Sequence, residues 1–211
     1  MSHGDHVHVI NHPLIAHYLT KARDKNTRPP RFREMVGQIG ALLAYEATRD
    51  LPTAPIDVET PMQPYEGSKL ARPITIVPIL RAGLGYAEAI HRLIPDAVMG
   101  HLGMFRDEDE LRPVSYYQNL PKQLAQGPAL LVDPMLATGG SAIAAVQLLR
   151  EAGCQDVRVI CLIAAPEGIA ALHEACGPVP IYTAGIDEKL NEKGYILPGL
   201  GDAGDRLFGT E

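Results

Sequence analysis

Between Ala129 and Ser141 the chain reads Ala-Leu-Leu-Val-Asp-Pro-Met-Leu-Ala-Thr-Gly-Gly-Ser, and these residue types suit one phosphate and one sugar. Thr138, Gly139, Gly140 and Ser141 can turn their backbone N–H groups toward a single anion, because glycine tolerates the required φ values and leaves no side chain in the way. A helix starting near Ser141 adds its positive dipole end, worth about 0.3–2 kcal/mol in a partly buried setting. Asp133 has the wrong charge for phosphate. A carboxylate at this place accepts hydrogen bonds from sugar hydroxyls or holds a metal, so acid and loop together point to a phosphorylated sugar. An ordinary strand-to-helix turn uses glycine for packing alone, and Asp, Thr, Gly-Gly and Ser together exceed what it needs.

Two arginines have the opposite sign. Ile74 to Leu80 reads as a buried strand interrupted by Pro78 toward its end, and Arg81-Ala-Gly-Leu-Gly then feeds a helix through about Leu93. The Arg81 guanidinium fork suits a phosphoryl group, and its place between an apolar strand and Ala-Gly predicts a half-buried side chain with a partner. Ala97 to Gly103 is a weaker strand running out through Met104 and Phe105 to Arg106. Residues 107–127 hold Asp107, Glu108, Asp109 and Glu110 together with Tyr116, Tyr117 and two prolines, a polar insertion that reads as a lid or hairpin with a solvated acidic face. At the other end of the chain, Gly199, Gly201 and Gly204 match the dinucleotide fingerprint G-x-G-x-x-G. Only seven residues follow Gly204, too few for a helix, a second strand or a ribose-binding acid, so that reading fails. A glycine-rich loop can instead offer backbone donors and acceptors to the edge of a small planar base. Ile196, Leu197, Leu200, Leu207 and Phe208 argue that this segment is packed.

The elements that must position these groups follow from hydrophobic periodicity. With 211 residues and 46% apolar content the chain can bury a sizeable core as one domain, 1–211. Val7, Val9 and Ile10 alternate as a short edge strand, while His3, His6, His8 and His12 read as incidental residues of a mobile terminus. Arg28, Pro29, Pro30, Arg31 and Arg33 form a stiff, basic approach to a helix from Arg33 to Thr48, whose Met35, Val36, Ile39, Leu42 and Leu43 share one face. Residues 50–72, rich in proline, read as loops or a small hairpin. A helix through Ala152 with Gly153 as its terminal cap, a strand from Val157 to Ala164, a helix at Pro166-Glu-Gly with Ile169 and Leu172 inward and His173 on the surface, and a strand from Ile181 to Ala184 follow. Strands alternating with helices predict an α/β fold with a mainly parallel central sheet flanked by helices.

Composition excludes several functions. A net charge of −6 argues against a general nucleic-acid or membrane-surface binder, so an anionic ligand must be met by locally placed arginines. Cys154, Cys161 and Cys176 are odd in number and lack metal-ligand spacing, which predicts reduced core thiols. No run approaches the roughly 18 apolar residues of a spanning helix, and a soluble, cytoplasmic protein is expected. The motif G-x-x-x-x-G-K-[ST] of P-loop kinases is absent.

His12-Pro-Leu, Pro78-Ile-Leu-Arg-Ala-Gly-Leu-Gly, the run from Asp133 to Ser141, Ala164-Ala-Pro-Glu-Gly-Ile and Pro198-Gly-Leu-Gly-Asp-Ala-Gly-Asp-Arg together resemble the uracil phosphoribosyltransferases of the type I phosphoribosyltransferase family. The resemblance covers nearly the whole chain. It implies the type I fold, with a flexible hood over about 106–127 and a base-binding loop over about 195–210. It also implies transfer of 5-phosphoribosyl from 5-phosphoribosyl 1-diphosphate (PRPP) to uracil N1, with Mg²⁺ as cofactor and UMP and diphosphate as products of pyrimidine salvage. Carried over by position, Asp133, Pro134, Met135, Leu136, Ala137, Thr138, Gly139, Gly140 and Ser141 form the PRPP loop, with Thr138 to Ser141 on the 5′-phosphate and Asp133 on the ribose hydroxyls. Arg81 and Arg106 hold the diphosphate. Ile196 and Gly201 to Ala203 contact uracil, while Asp202 also faces PRPP through Mg²⁺ or water. Asp133, Arg106 and Asp202 are thus the catalytic candidates. Pro134 stands where many type I members have a second acid, so metal and ribose rely on fewer carboxylates; Tyr86 and Leu197 read as packing changes. The resemblance further implies a homodimer or higher homo-oligomer and names GTP, an activator of some relatives, as a candidate effector. The competing readings are a PRPP-sensing RNA-binding regulator and a transferase for a purine or orotate.

Two substitutions test the assigned roles. Asp133→Ala lowers turnover by on the order of 10²-fold or more, and near-normal kinetics contradict its role. Arg106→Ala mainly weakens PRPP and diphosphate binding; an unchanged PRPP dependence counts against it.

Overall fold

The computed structural model describes residues 6–106 and 113–210, with Phe105, Arg106 and Pro113 given by their backbone only. His3 and the acidic run Asp107 to Glu110 lie outside the described residues. In chain order the elements are β1 (Val7–Val9), α1 (Pro13–Arg23), α2 (Pro29–Ala47), a hairpin of β2 (Thr53–Glu59) and β3 (Pro64–Leu70), β4 (Thr75–Leu80), α3 (Leu84–Leu93), β5 (Val98–Met99), β6 (His101–Arg106) and β7 (Pro113–Asn119). The second half has β8 (Ala129–Val132), β9 (Met135–Leu136), α4 (Gly140–Glu151), β10 (Val157–Cys161), β11 (Ile163–Ala164), α5 (Pro166–Cys176), β12 (Ile181–Thr183), β13 (Lys189–Leu190), β14 (Ile196–Leu197) and α6 (Ala203–Phe208).

Alternation along the strands builds two cores, one on each face of the sheet. Ile76, Leu130, Val132 and Ile160 pack beneath α1, α2 and α3, whereas Val77, Ile79, Ala129, Leu131 and Val159 pack against α4 and α5. The main sheet has the order β1-β12-β10-β8-β4-β6-β7, with β5 also paired to β4. All its pairings are parallel except β6 with β7. The predicted mixed architecture with helices on both faces is therefore present.

Several boundaries differ from the sequence expectation, each for a local reason. Pro78 does not interrupt β4: it lies between the residues that pair with β5, Thr75 and Ile76, and those that pair with β6, Ile79 and Leu80. A residue without an N–H is tolerated there. The apolar run from Val157 to Ala164 breaks at Leu162, because Leu162 N and Ile163 N both donate to Pro134 O (3.0 and 3.3 Å) and turn β11 onto β9. α2 starts at Pro29, four residues before the expected Arg33, since proline is pre-set for the first helical turn. Residues 53–70 form a regular hairpin from Thr53↔Leu70 to Glu59↔Pro64.

The histidines are also less idle than expected. His12 caps α1 by accepting from Leu14 N (3.2 Å), and the His8 ring stacks on Tyr182 with centroids 4.6 Å apart. His173 is half-buried, its Nε2 donating to Val179 O (2.9 Å). The three cysteines are free and buried, as expected, and burial pushes the Cys161 thiol up to about 12, which makes it inert. Among the described residues no helix is long and apolar enough to cross a membrane.

Tyr86 is the largest fully buried side chain, and its hydroxyl donates to Ile160 O (2.7 Å). It fills the space left by Gly40 on α2: a Cβ there would lie 2.3 Å from Tyr86 Cδ2. Gly40→Ala gains about 1 kcal/mol of helix propensity but overpacks the α2–α3 contact, so chemical denaturation is expected to show a net loss of about 1–2 kcal/mol. A stabilised variant contradicts this packing.

Candidate active site

Three strands end side by side because their register aligns Pro78 with Val132 and Val132 with Ile160. In an open parallel sheet this carboxyl edge is where ligands bind. The chain leaving β8 runs between two backbone contacts that only glycine permits. A Cβ on Gly83 would lie 2.2 Å from Val132 O, and one on Gly168 would lie 2.3 Å from Ala137 O. Asp133 sits in this narrow passage. Its N–H donates to Ile160 O (3.2 Å) and its carboxylate accepts one long bond from Met135 N (3.4 Å). That weak compensation leaves burial dominant, and burial pushes the carboxyl up from 3.8 to about 7.

Beyond β9 the chain enters α4 through Gly139 in the left-handed region (φ 85°) with no side-chain cap. Among the described residues the N–H groups of Thr138, Gly139, Gly140 and Ser141 meet no protein acceptor. An uncapped helix start of this kind is prepared for an anion.

The C-terminal segment faces this edge. β14 pairs with β13, and Gly199 (φ 68°) and Gly201 (φ 75°) then turn the chain. The expectation that no helix could follow is wrong: α6 forms, with Asp202 as its N-cap accepting from Asp205 N (2.9 Å). Six residues suffice because tertiary contacts hold them. Leu207 is fully buried beside Gly85, where a Cβ would meet its Cδ1 at 2.5 Å. Arg33, part of the basic approach to α2, donates to Leu207 O (2.5 Å). Arg206 lies over the Phe32 ring at 4.1 Å and donates to Ala22 O (2.5 Å), Leu200 O (2.7 Å) and Asp24 O (2.7 Å). The fingerprint reading still fails, since the preceding strand belongs to an antiparallel ribbon.

Between the two segments lies a cavity of about 290 Å³. Asp133, Pro134, Met135 and Ala137 line one wall, and Ile196, Gly201, Asp202 and Ala203 line the other. These eight sequence-predicted residues are brought together. Leu136 is not among them, since it is buried in the core beneath the loop and its carbonyl accepts from Ala165 N (2.9 Å). Thr138 to Ser141 lie beyond the cavity wall at the start of α4. Arg81 is a correction. Its side chain is 62% exposed rather than half-buried, with a loose ion pair to Asp205 at 3.7 Å, because the chain turns sharply at Gly83 and leaves the arginine outside the packed edge. Arg106 ends β6, beside β4 in the sheet, and its side chain lies outside the description.

Ala82, Lys193, Gly194, Tyr195 and Gly204 also line the cavity without having been named as contacts, although Tyr195 and Gly204 fall within the expected base-binding loop. A signal existed for three of them. In Asn191-Glu-Lys-Gly-Tyr, Asn191 Oδ1 accepts from both Lys193 N and Tyr195 N (2.9 Å each), a turn that asparagine and glycine announce. No signal marked Arg23 and Asp187, which pair through two bonds (2.5 and 2.8 Å) and together bind the C=O and N–H of Gly199. Among the described residues no group of three His, Cys, Asp or Glu could hold a metal ion.

The Asp133 shift has a measurable sign. Its carboxyl ionises near 3.8 when unfolded and near 7 in the fold, so the ligand-free protein loses stability as pH rises through that window and levels off above it. Asp133→Asn removes this titration. The variant is expected to be more stable than the parent at pH 8, by up to about 4 kcal/mol, and to differ by less than about 1 kcal/mol at pH 4. A constant difference across pH 4–8 in thermal unfolding contradicts the burial of this carboxyl.

Comparison with known proteins gives a consistent result. The family model described as uracil phosphoribosyltransferase matches residues 9–210. A uracil phosphoribosyltransferase of Acholeplasma laidlawii is 56% identical over 203 residues, 96% of this chain and 98% of that protein. One of Dictyoglomus turgidum is 53% identical over 204 residues, 96% of this chain and 99% of its own length. The solved structure of the AQ2163 protein from Aquifex aeolicus superposes with a TM-score of 0.93 at 37% identity, covering 97% of this chain and 99% of that one. An adenine phosphoribosyl transferase from Trypanosoma brucei, at 15% identity and a TM-score of 0.56 over 87% of this chain and 84% of that one, shares the fold. With an anion-ready loop, a buried acid and a glycine-rich wall meeting at one sheet edge, and with this match along its length, the chain belongs to the uracil phosphoribosyltransferase family.

Proposed function

We propose that this chain transfers the 5-phosphoribosyl group of PRPP to N1 of uracil, giving UMP and diphosphate. The observation that carries this reading is the single cavity with Asp133 on one wall and Ile196 and Gly201 to Ala203 on the other, beside the open N-terminus of α4. The 5′-phosphate sits on the amides of Thr138 to Ser141, and the ribose hydroxyls donate to Asp133. Uracil lies against the terminal loop, where Gly201 leaves the backbone approachable. In the reaction the bond from C1′ to the diphosphate oxygen breaks with its electron pair leaving on diphosphate, C1′ bonds to N1, and the N1 proton is released.

The chain's own residues supply position and charge. Fixing the sugar by its phosphate and the base by the terminal loop places N1 near C1′, and such alignment is worth several kcal/mol of barrier. Arg81 and Arg106 balance the charge that grows on the diphosphate. Arg81 is mobile enough in its exposed setting to turn from Asp205 onto that ligand. Asp133 stabilises the sugar as it gains positive character, and donors on the ribose restore its ionised form. The carboxylates present fit Mg²⁺ held mainly by PRPP oxygens, with Asp202 or Asp133 completing its shell, as is usual for a cation that keeps substrate and water ligands. When bound it neutralises diphosphate charge. The segment over about 106–127, whose described part pairs β7 on β6, closes over the site as a hood and excludes water. The chain works as one unit, 1–211, within a homo-oligomer, with GTP as candidate effector.

The deciding assay incubates the purified protein with PRPP, Mg²⁺ and, separately, uracil, orotate, hypoxanthine and adenine, and detects the nucleotide formed. UMP is the expected product. Preferential formation of orotidylate or a purine nucleotide overturns the substrate assignment, and tight binding of a pyrimidine-operon leader RNA with no turnover of any base favours the regulator.

A further inference from the structure

The ion pair of Arg23 and Asp187 lies outside the cavity, yet its geometry reaches the base-binding wall. Arg23 is the last residue of α1, and Asp187 follows the bridge between Ala164 and Ile186. Arg23 donates from Nη2 to Asp187 Oδ1 (2.5 Å) and from Nη1 to Oδ2 (2.8 Å). Two of these same atoms hold one residue, Gly199, through the two peptide groups on either side of its Cα. Arg23 Nη1 donates to Gly199 O (2.9 Å), and Asp187 Oδ2 accepts from Gly199 N (2.8 Å). The Asp187 side chain is 5% exposed and that of Arg23 26%.

Such a pair is weak evidence for stability, because the cost of removing two charges from water offsets much of their attraction. It does fix geometry: charge-assisted bonds in a planar fork tolerate little displacement. Gly199 stands three residues after Ile196 and two before Gly201, and both of those line the cavity. The next residue, Leu200, is buried, and its carbonyl is taken by Arg206. The loop is thus held at consecutive residues from outside while its inner face stays open.

We propose that Arg23 and Asp187 are positioning residues for the base: by gripping Gly199 at both its N–H and its C=O they set where the backbone groups of 196–203 meet uracil. This rests on the assignment of the terminal loop as the base site. Loss of either charge frees Gly199 to shift, and misplacement of about 1 Å costs up to ~10²-fold where alignment carries the rate. The phosphate loop has no bond to this pair and keeps its hold on PRPP.

The test compares Arg23→Gln, Arg23→Lys, Asp187→Asn and the double variant Arg23→Gln/Asp187→Asn by steady-state kinetics, by equilibrium binding of PRPP alone and by thermal unfolding. Arg23→Gln and Asp187→Asn are expected to raise KM for uracil about 10- to 100-fold with PRPP binding unchanged. Arg23→Lys recovers part of the loss, and the double variant is no worse than the poorer single one, since both remove the same grip. Unchanged uracil KM in folded Arg23→Gln, or equal weakening of uracil and PRPP, overturns the proposal. Should Asp187→Asn fail to fold, Arg23→Gln, changed at a partly exposed side chain, decides alone. Gly201→Ala separates the two levels of inference: if it leaves uracil KM unchanged, the base site itself is misplaced, whereas if it raises uracil KM and the Arg23 and Asp187 variants do not, the positioning role alone is lost.

Discussion

Close backbone approach at the carboxyl edge of β8 is the constraint on which the site depends. The segment from Val132 to Ala137 passes between Gly83 and Gly168 at distances that leave no room for a Cβ on either. This squeeze has two consequences. It brings the turn after β4 and the start of α5 against the phosphate loop, so that three separate parts of the chain define one edge. It also buries the Asp133 carboxyl with only one long hydrogen bond, which raises its pKa to about 7. An acid kept there lowers the stability of the ligand-free fold, and a position that destabilises the fold while facing a cavity is placed for a ligand.

The two walls of the cavity are built in different ways. The proposed phosphate wall is local: β8, the Pro134 turn, β9 and α4 follow one another within the run from Ala129 to Glu151. The proposed base wall is assembled from distant segments. Asp202 caps a short helix that cannot stand alone, and Arg33, Arg206 and the Arg23–Asp187 pair tie it to α1 and α2. Helices of this length are unstable in isolation, so tertiary contacts supply what local propensity lacks. Substrate choice in the proposed reaction is thereby coupled to the N-terminal helices, far away in sequence.

This difference explains what the sequence disclosed. The buried strands, the amphipathic face of α2 and the phosphate loop were legible because their signals are periodic or local: alternating apolar residues, i to i+4 spacing, and Thr-Gly-Gly-Ser after a strand. Eight of the cavity residues were named in advance for the same reason, or because the motifs resemble those of the family. α1 is less legible: Ile15, Leu19 and Ala22 share a face, but the exposed Leu14 beside them blurs the apolar stripe. Arg81 was placed too deep because its exposure depends on a turn geometry that the neighbouring residues do not encode by type alone. Arg23 and Asp187 could not be paired from the sequence at all: a contact across 164 positions has no local signature. The terminal helix was excluded on length, and long-range bonds override length.

A crystal structure of the protein with UMP tests the central assignment most directly, because this one molecule carries the phosphate, the ribose and the base. The expected density has the 5′-phosphate on the amides of Thr138 to Ser141, the ribose hydroxyls within hydrogen-bond distance of Asp133, and the uracil ring against Ile196 and Gly201 to Ala203. UMP bound with its base away from the terminal loop, or with its phosphate off the start of α4, contradicts it.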